Sequence, residues 1–147
     1  MDELKIALKI LLADVFIMYY KTHSMHWNIE GDNFPQYHAF LETIYQDVFD
    51  SIDPIAENLR KLDAFAPVSI EELYKSKSIE EDMRVMDSTG MLQSLKYTNS
   101  KVISTLNKVY DLANKQNEQG ICNFIADRID THKKHEWMLR SSLKKIS

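Results

Sequence analysis

Apolar side chains recur at every third or fourth position through four long stretches of this chain, and this spacing is its most constraining feature. It is the period of one face of an α-helix, sustained for longer than a strand would be. In the first stretch the face runs through Leu4, Leu8, Leu11, Val15 and Met18. The pattern predicts four long helices, over about residues 2–29, 33–62, 89–115 and 118–143.

The links between these helices define the topology. Gly31 interrupts the first pattern, Asn33 can cap the second helix, and an Asn-rich run, 114–120, separates the last two helices. Residues 63–87 form a much longer connection, where the capping-box pattern at Ser69 predicts a short helix over 70–75 and a second such pattern begins at Ser78. Two short links and one long crossover are typical of ferritin-like bundles. We therefore predict an all-α, ferritin-like four-helix bundle, with residues 1–147 as a single domain.

The scarcity of glycine and proline supports this prediction. The chain has only three of each, whereas a β-sandwich or barrel needs such residues in its many turns. Pro54 is the exception because it falls inside the second predicted helix, where it removes a hydrogen bond to Asp50. We expect a kink at this position.

Composition argues against several other classes of protein. Cys122 is the only cysteine, so no disulfide can form within the chain, which favours a reducing compartment. The apolar stretch 10–18 is broken by Asp14 and is shorter than the ~20 residues of a membrane span. The acidic start is unlike a secretory signal, and the net charge of −4 disfavours broad nucleic-acid binding. We expect a cytoplasmic protein without a membrane segment.

Two pairs of possible metal ligands lie on one face of the second predicted helix. His38 and Glu42 are four residues apart, as are Asp53 and Glu57, so each pair could chelate a cation. From Glu42 to Asp53 the helix turns through about 1,100°, so the pairs point the same way to within about 20°. They are also about 16 Å apart along the axis, so one ion cannot bind both pairs in one straight helix.

A second copy of the chain would resolve this separation. If the helix packed antiparallel against its symmetry mate, His38 and Glu42 would face the other chain's Asp53 and Glu57, in two equivalent intersubunit sites. His26, near the end of the first helix, could approach the first pair. An intrachain di-iron site would need Glu-x-x-His motifs, and no glutamate has histidine three residues later. Iron, manganese and zinc all remain open as the metal.

Other polar and aromatic residues have simpler interpretations. His132 and His135, among charged neighbours in the fourth predicted helix, are expected on a solvated face. Cys122 is expected in the core. The aromatic side chains between Trp27 and Phe49 are expected in core or subunit-interface packing. The apolar face of the fourth helix is drawn through Ile121, Ile125, Ile129, Trp137 and Leu139.

Three parts of the sequence together resemble a known family. They are the run KTHSMHWNIEGDNF from Lys21 to Phe34, the positions of His38, Glu42 and Asp53 with the run AENLR at 56–60, and the last helix from Ala126 to Arg140. They are similar to Dps proteins, the mini-ferritins that protect DNA during starvation. The resemblance covers almost the whole chain. It implies a four-helix bundle assembled as a hollow dodecamer that oxidises Fe(II), preferentially with hydrogen peroxide, and stores ferric mineral.

The resemblance also implies which residues carry this activity. His26, His38 and Glu42 of one chain, with Asp53 and Glu57 of its two-fold mate, would be the iron ligands and form the ferroxidase centre. Trp27 would lie next to the iron, where it would quench radicals.

Three features of the sequence depart from the family pattern. Glu42 stands where aspartate is commoner, and Pro54 directly follows Asp53. No Lys/Arg-rich tail precedes the first helix, and only Lys144 and Lys145 give a basic end, which argues against direct DNA binding. The alternative function is a Dps-like structural or DNA-associating shell without ferroxidase activity. A helical adaptor without metal would make the ligand spacings a coincidence.

Overall fold

In the computed structural model, residues 2–145 are described, and they form five helices without any strand. The helices are α1 (Glu3–Asn28), α2 (Phe34–Lys61), α3 (Ile70–Lys75), α4 (Ser88–Lys115) and α5 (Gln119–Leu143). Helices α1 and α2 make one hairpin, α4 and α5 make another, and α1 packs against α4 to join them. The short α3 lies in the crossover and contacts α1. This arrangement confirms the predicted all-α, ferritin-like four-helix bundle.

None of the helices within 2–145 combines the length and apolar character that a membrane crossing requires.

Side chains at the helix ends explain where three of the helices begin. Asp2, Ser69 and Asp87 each accept a hydrogen bond from a backbone N–H two or three residues later, which satisfies a donor that has no partner inside the helix. The predicted capping box at Ser69 forms with one difference, because the Glu72 carboxylate accepts from the Val68 N–H, at 2.9 Å, and not from that of Ser69. The start of α3 is therefore specified by local sequence.

The reversals between helices use residues with positive φ. Gly31, at +122°, turns the chain between α1 and α2. Asp63 and Asn117, at 61° and 59°, follow the ends of α2 and α4, where a left-handed residue closes the last turn and Asn or Asp tolerates that conformation. Because Asn117 reverses the chain, the link between α4 and α5 is shorter than the predicted run 114–120. Asn33 precedes α2 as predicted, but its side chain makes no capping hydrogen bond.

The core lies along α1, which is covered on different sides by α2, the crossover and α4. Its buried positions therefore occupy more than one face of the helix. The largest fully buried side chains of the bundle are apolar, and they are Leu4, Leu8, Leu11, Met18, Ile29, Leu41, Ile44, Ile55, Leu59, Leu92, Leu95 and Leu106.

Two buried charged residues of α1 hold the crossover against the bundle. The Asp14 carboxylate accepts hydrogen bonds from the backbone N–H of Ser78, at 2.7 Å, and from its hydroxyl group. Two turns along α1, the Lys21 ammonium donates to the Thr98 hydroxyl at 2.7 Å and lies 3.5 Å from the Asp82 carboxylate. The capping-box pattern at Ser78 starts no helix because both polar groups of Ser78 bind Asp14.

Replacing Asp14 with alanine is expected to lower the free energy of unfolding by about 2–3 kcal/mol, since Ser78 loses two bonds to a buried carboxylate. Urea unfolding followed by circular dichroism, at equal protein concentrations, measures this loss. Ser78→Ala keeps the backbone bond and should cost less than half as much. An unchanged midpoint for Asp14→Ala would contradict this account of the crossover.

Candidate metal centre

The reversal at Gly31 brings the last turn of α1 beside the first turns of α2, where His26 meets His38. The two imidazole rings stack with centroids 3.6 Å apart and 16° between their planes. His26 Nδ1 lies 2.7 Å from the His38 carbonyl oxygen, and His38 Nδ1 lies 2.8 Å from the His26 carbonyl oxygen. A carbonyl oxygen only accepts, so each Nδ1 donates its proton. We call this reciprocal pair the histidine clasp.

The clasp fixes which nitrogen of each ring is free. With the proton held on Nδ1, the lone pair of a neutral imidazole is on Nε2, and such a bond from the second ring nitrogen commonly orients metal-binding histidines. Glu42 Oε1 lies 3.8 Å from His26 Nε2, a gap that an ion with bonds of about 2.0–2.2 Å can bridge. The structure thus brings His26, His38 and Glu42 together at the α1–α2 junction.

Asp53 and Glu57 do not reach this junction within one chain. Both are exposed on α2, about 16 Å further along the helix axis at 1.5 Å per residue. Neither takes part in the ion pairs formed among residues 2–145. No group of three or more His, Cys, Asp or Glu side chains in that range is arranged to hold a metal ion. One chain alone therefore does not assemble such a group within the described residues.

Pro54 lies between these two carboxylates, and α2 continues through it to Lys61. Its missing N–H leaves the helix one hydrogen bond weaker next to Asp53. The expected kink stays a prediction.

Aromatic rings surround the clasp on its α1 side. His23 stacks on Tyr45, with centroids 3.9 Å apart, and its other neighbour is Trp27, at 4.2 Å. Its Nδ1 is hydrogen-bonded to the Tyr19 hydroxyl at 2.9 Å. Burial first, and then the neighbouring His26, lower the pKa of His23. Trp27 is 56% exposed and lies one ring away from His26, while Tyr45 is half-buried between the helices.

A second polar cluster, which the sequence reasoning missed, lies inside the bundle. The two terminal guanidinium nitrogens of Arg128 donate to the Asp47 carboxylate at 2.9 Å, and His135 Nε2 lies 2.8 Å from the same carboxylate. His132 Nδ1 contacts the Asn99 side-chain oxygen at 2.8 Å, and its Nε2 lies 3.1 Å from Arg128. We call these five residues, from α2, α4 and α5, the interior network.

The surroundings determine the charges in the interior network. Burial alone would raise the pKa of Asp47, but the hydrogen bonds and positive charges of Arg128 and His135 outweigh it and hold that pKa well below its ordinary value. Burial, together with the nearby Arg128 charge, places the pKa of His132 well below its ordinary value. The folded protein therefore contains ionised Asp47 and neutral His132 near neutral pH.

The predicted solvated face for His132 and His135 is wrong, because their residues are only 1% and 7% exposed. Their charged neighbours in the sequence, Lys133 and Lys134, lie on the exposed side of α5. Arg128, His132 and His135 follow Ile125 at spacings of three and four, so they continue the buried face of the helix. Their spacing therefore indicated burial, but their polar side chains favoured a solvated face.

The predicted apolar face of α5 needs a matching correction. Trp137 is 55% exposed and Ile129 is only half-buried. The buried face of α5 instead includes the α5 residues of the interior network. It becomes apolar again at Leu139, which is fully buried. Cys122 is buried in the core as expected.

Comparison with known proteins identifies the family. The ferritin-like domain family matches residues 6–147. The crystal structure of the Dps protein from Vibrio cholerae O1, described as a member of a broad superfamily of ferritin-like diiron-carboxylate proteins, has 32% sequence identity and a TM-score of 0.92. That match covers 97% of this chain and 89% of the Vibrio chain. The chain belongs to the Dps family of ferritin-like proteins.

Two further relatives agree with membership of the Dps family. Antigen TpF1 of Treponema pallidum is 32% identical over 134 residues, which cover 90% of this chain and 76% of the antigen. The DNA protection during starvation protein of Helicobacter pylori is 25% identical over 92% of this chain and 95% of its own length. The similarity therefore extends over most of the chain in each case.

The buried neutral His132 predicts a stability that falls in acid. The unfolded chain binds a proton at His132 below about pH 6.5, whereas the folded protein resists it, so stability is complete above that pH and declines below it. The His132→Gln variant should be less stable than the native protein at pH 8. Between pH 6.5 and 5, its free energy of unfolding should fall by up to about 1.4 kcal/mol less per pH unit than that of the native protein. Asp47 adds to this pH dependence only below about pH 4, where the stabilisation from its ionised carboxylate begins to be lost. Urea midpoints across this range measure both slopes, and parallel slopes would contradict the prediction.

Proposed function

We propose that this Dps-family protein is a ferroxidase and iron-storage protein. It oxidises Fe(II), with hydrogen peroxide as the oxidant, and holds the ferric mineral inside a hollow homo-oligomer, for which we expect twelve copies. The observation that carries this proposal is the histidine clasp, in which His26 Nε2 lies 3.8 Å from Glu42 Oε1. The proposal includes a cytoplasmic location, which suits a chain with one buried cysteine.

The iron site of this proposal is shared between two copies of the chain. Two further carboxylates, Asp53 and Glu57, are exposed and project from the same face of α2 as Glu42. Antiparallel pairing of two α2 helices brings each carboxylate pair opposite the other chain's clasp, and two-fold symmetry makes both sites equivalent. Five ligands, His26, His38 and Glu42 from one chain and Asp53 and Glu57 from the other, then surround the iron.

The chemistry follows from this donor set. Fe(II) binds as substrate, and the mixture of imidazole and carboxylate ligands is one that iron accepts. Two Fe(II) ions give one electron each to hydrogen peroxide, which takes up two protons and leaves as two water molecules. The resulting Fe(III) prefers oxygen ligands and moves to acidic side chains where mineral forms. Trp27, which is exposed and whose ring lies 4.2 Å from that of His23, is placed to quench a radical that escapes this two-electron step.

Removing one proposed histidine ligand and one proposed carboxylate ligand tests the ferroxidase activity. After anaerobic Fe(II) loading, addition of hydrogen peroxide should produce ferric absorbance rapidly in the native protein. We expect His38→Ala/Asp53→Ala to slow this reaction by at least about 100-fold, because both halves of the site lose a ligand. Equal rates would contradict the ferroxidase proposal and favour a shell without ferroxidase activity. Asp111→Asn, an exposed change on α4, is the matched control and should keep the native rate.

Mixing two inactive single variants tests whether the site is shared. A dimer of one His38→Ala chain and one Asp53→Ala chain contains one site with both changes and one intact site. After unfolding and co-refolding of an equal mixture, half of the dimers are mixed, so about a quarter of all sites, and of native activity, should return. No recovery in a mixture shown by mass spectrometry to contain mixed dimers would contradict the shared site.

A further inference from the structure

Asp47 lies on the side of α2 that faces away from the ligands proposed above. It follows Glu42 by five residues, a rotation of about 140° beyond one full turn, and precedes Asp53 by six, about 120° short of two full turns. The ligand pairs therefore project outward while Asp47 projects into the bundle, where it binds Arg128 and His135 of α5. One helix thus carries the proposed iron ligands on one face and a half-buried, ion-paired carboxylate on the other.

The two halves of α2 are held by different means. The first half is fixed to α1 by the histidine clasp, with its two bonds of 2.7 and 2.8 Å. The second half, which carries Asp53 and Glu57, lies beyond the clasp and contains Pro54, whose ring leaves the Asp50 carbonyl without its helical partner. Asp47 stands between the clasp and this weakened segment.

Contacts between α2 and α5 are few compared with those between α2 and α1. Apolar side chains tolerate small rotations of a helix, whereas a bidentate Arg–carboxylate pair is directional. Arg128 donates to both oxygens of Asp47, and His135 donates to one of them. Arg128 and His135 are buried while Asp47 is half-buried, so rotation of α2 that breaks these bonds would leave the Arg128 charge buried without its partner, which is unfavourable.

We propose that Asp47 is a positioning residue of the iron site: its bonds to Arg128 and His135 set the rotation of α2 about its axis and so the direction of Asp53 and Glu57. It touches neither iron nor peroxide. The inference rests on the proposed function for its consequence at the iron site. Its effect on α2 itself can be measured without any metal.

Asp47→Asn tests this assignment because it keeps the shape of the side chain and removes its charge. The probe is Co(II), whose visible absorption reports both affinity and coordination geometry. We expect the native protein to bind Co(II), and Asp47→Asn to bind it at least about tenfold more weakly with an altered spectrum, since small displacements by remote residues have effects of this size. Asp47→Glu, which can still pair with Arg128, should recover most of the affinity.

Val109→Ala separates positioning from simple loss of stability. Val109 is a fully buried residue of α4, and the backbones of α4 and α2 do not approach each other within the described residues. Its truncation should lower the urea midpoint, as we also expect for Asp47→Asn, while leaving the Co(II) affinity and spectrum native. If both variants weakened Co(II) binding equally, a positioning role for Asp47 would be wrong.

Amide hydrogen exchange distinguishes failure of this inference from failure of the proposed function. In metal-free protein, Asp47→Asn should raise exchange in residues 48–57 by at least about tenfold relative to Val109→Ala, and the clasp region should change less. Native Co(II) binding with unchanged exchange in Asp47→Asn would overturn the positioning role alone. No Co(II) binding by the native protein would overturn the shared site, whereas selective exchange in 48–57 would still support Asp47 as the residue that holds α2.

Discussion

The structure depends on the burial of α1 between its neighbours. The α1–α2 and α4–α5 hairpins meet mainly through α1 and α4, and the crossover also lies against α1. A helix covered on several sides cannot keep a broad polar face, so its polar residues must find partners inside the protein. Asp14, Lys21 and His26 are buried for this reason, and each binds a group from another segment.

These buried polar groups give the bundle specificity that apolar packing does not provide. Leucine and isoleucine faces exclude water but tolerate sliding and rotation, whereas hydrogen bonds to buried charges require particular partners. The hydrogen bonds between Asp14 and Ser78 hold the crossover in one position. The bonds of the interior network hold α2 in one rotation against α5. The histidine clasp does the same at the α1–α2 turn, where it also determines which nitrogen of each ring carries the proton.

Much of the fold was predictable because its signals are local. The four apolar patterns, the cap at Ser69 and the reversal at Gly31 each depend on residues close together in sequence, and the helices begin and end within a few residues of the expected positions. The face of α5 was predicted less well. Arg128, His132 and His135 have the spacing of core residues, but their side chains gave no indication that Asp47 and Asn99, far away in the sequence, would satisfy them.

Residue spacing along the chain was enough to predict the helices, their order and the common direction of the two candidate ligand pairs, because helical geometry converts spacing into direction. The packing of the helices was needed to show that His26 and His38 bind each other's carbonyl groups, and that a cluster of Arg128, Asp47 and His135 joins α2 to α5. Both depend on distances between segments far apart in the chain. Such contacts follow from how whole helices pack, and a periodic pattern within one helix contains no information about the partner it will meet.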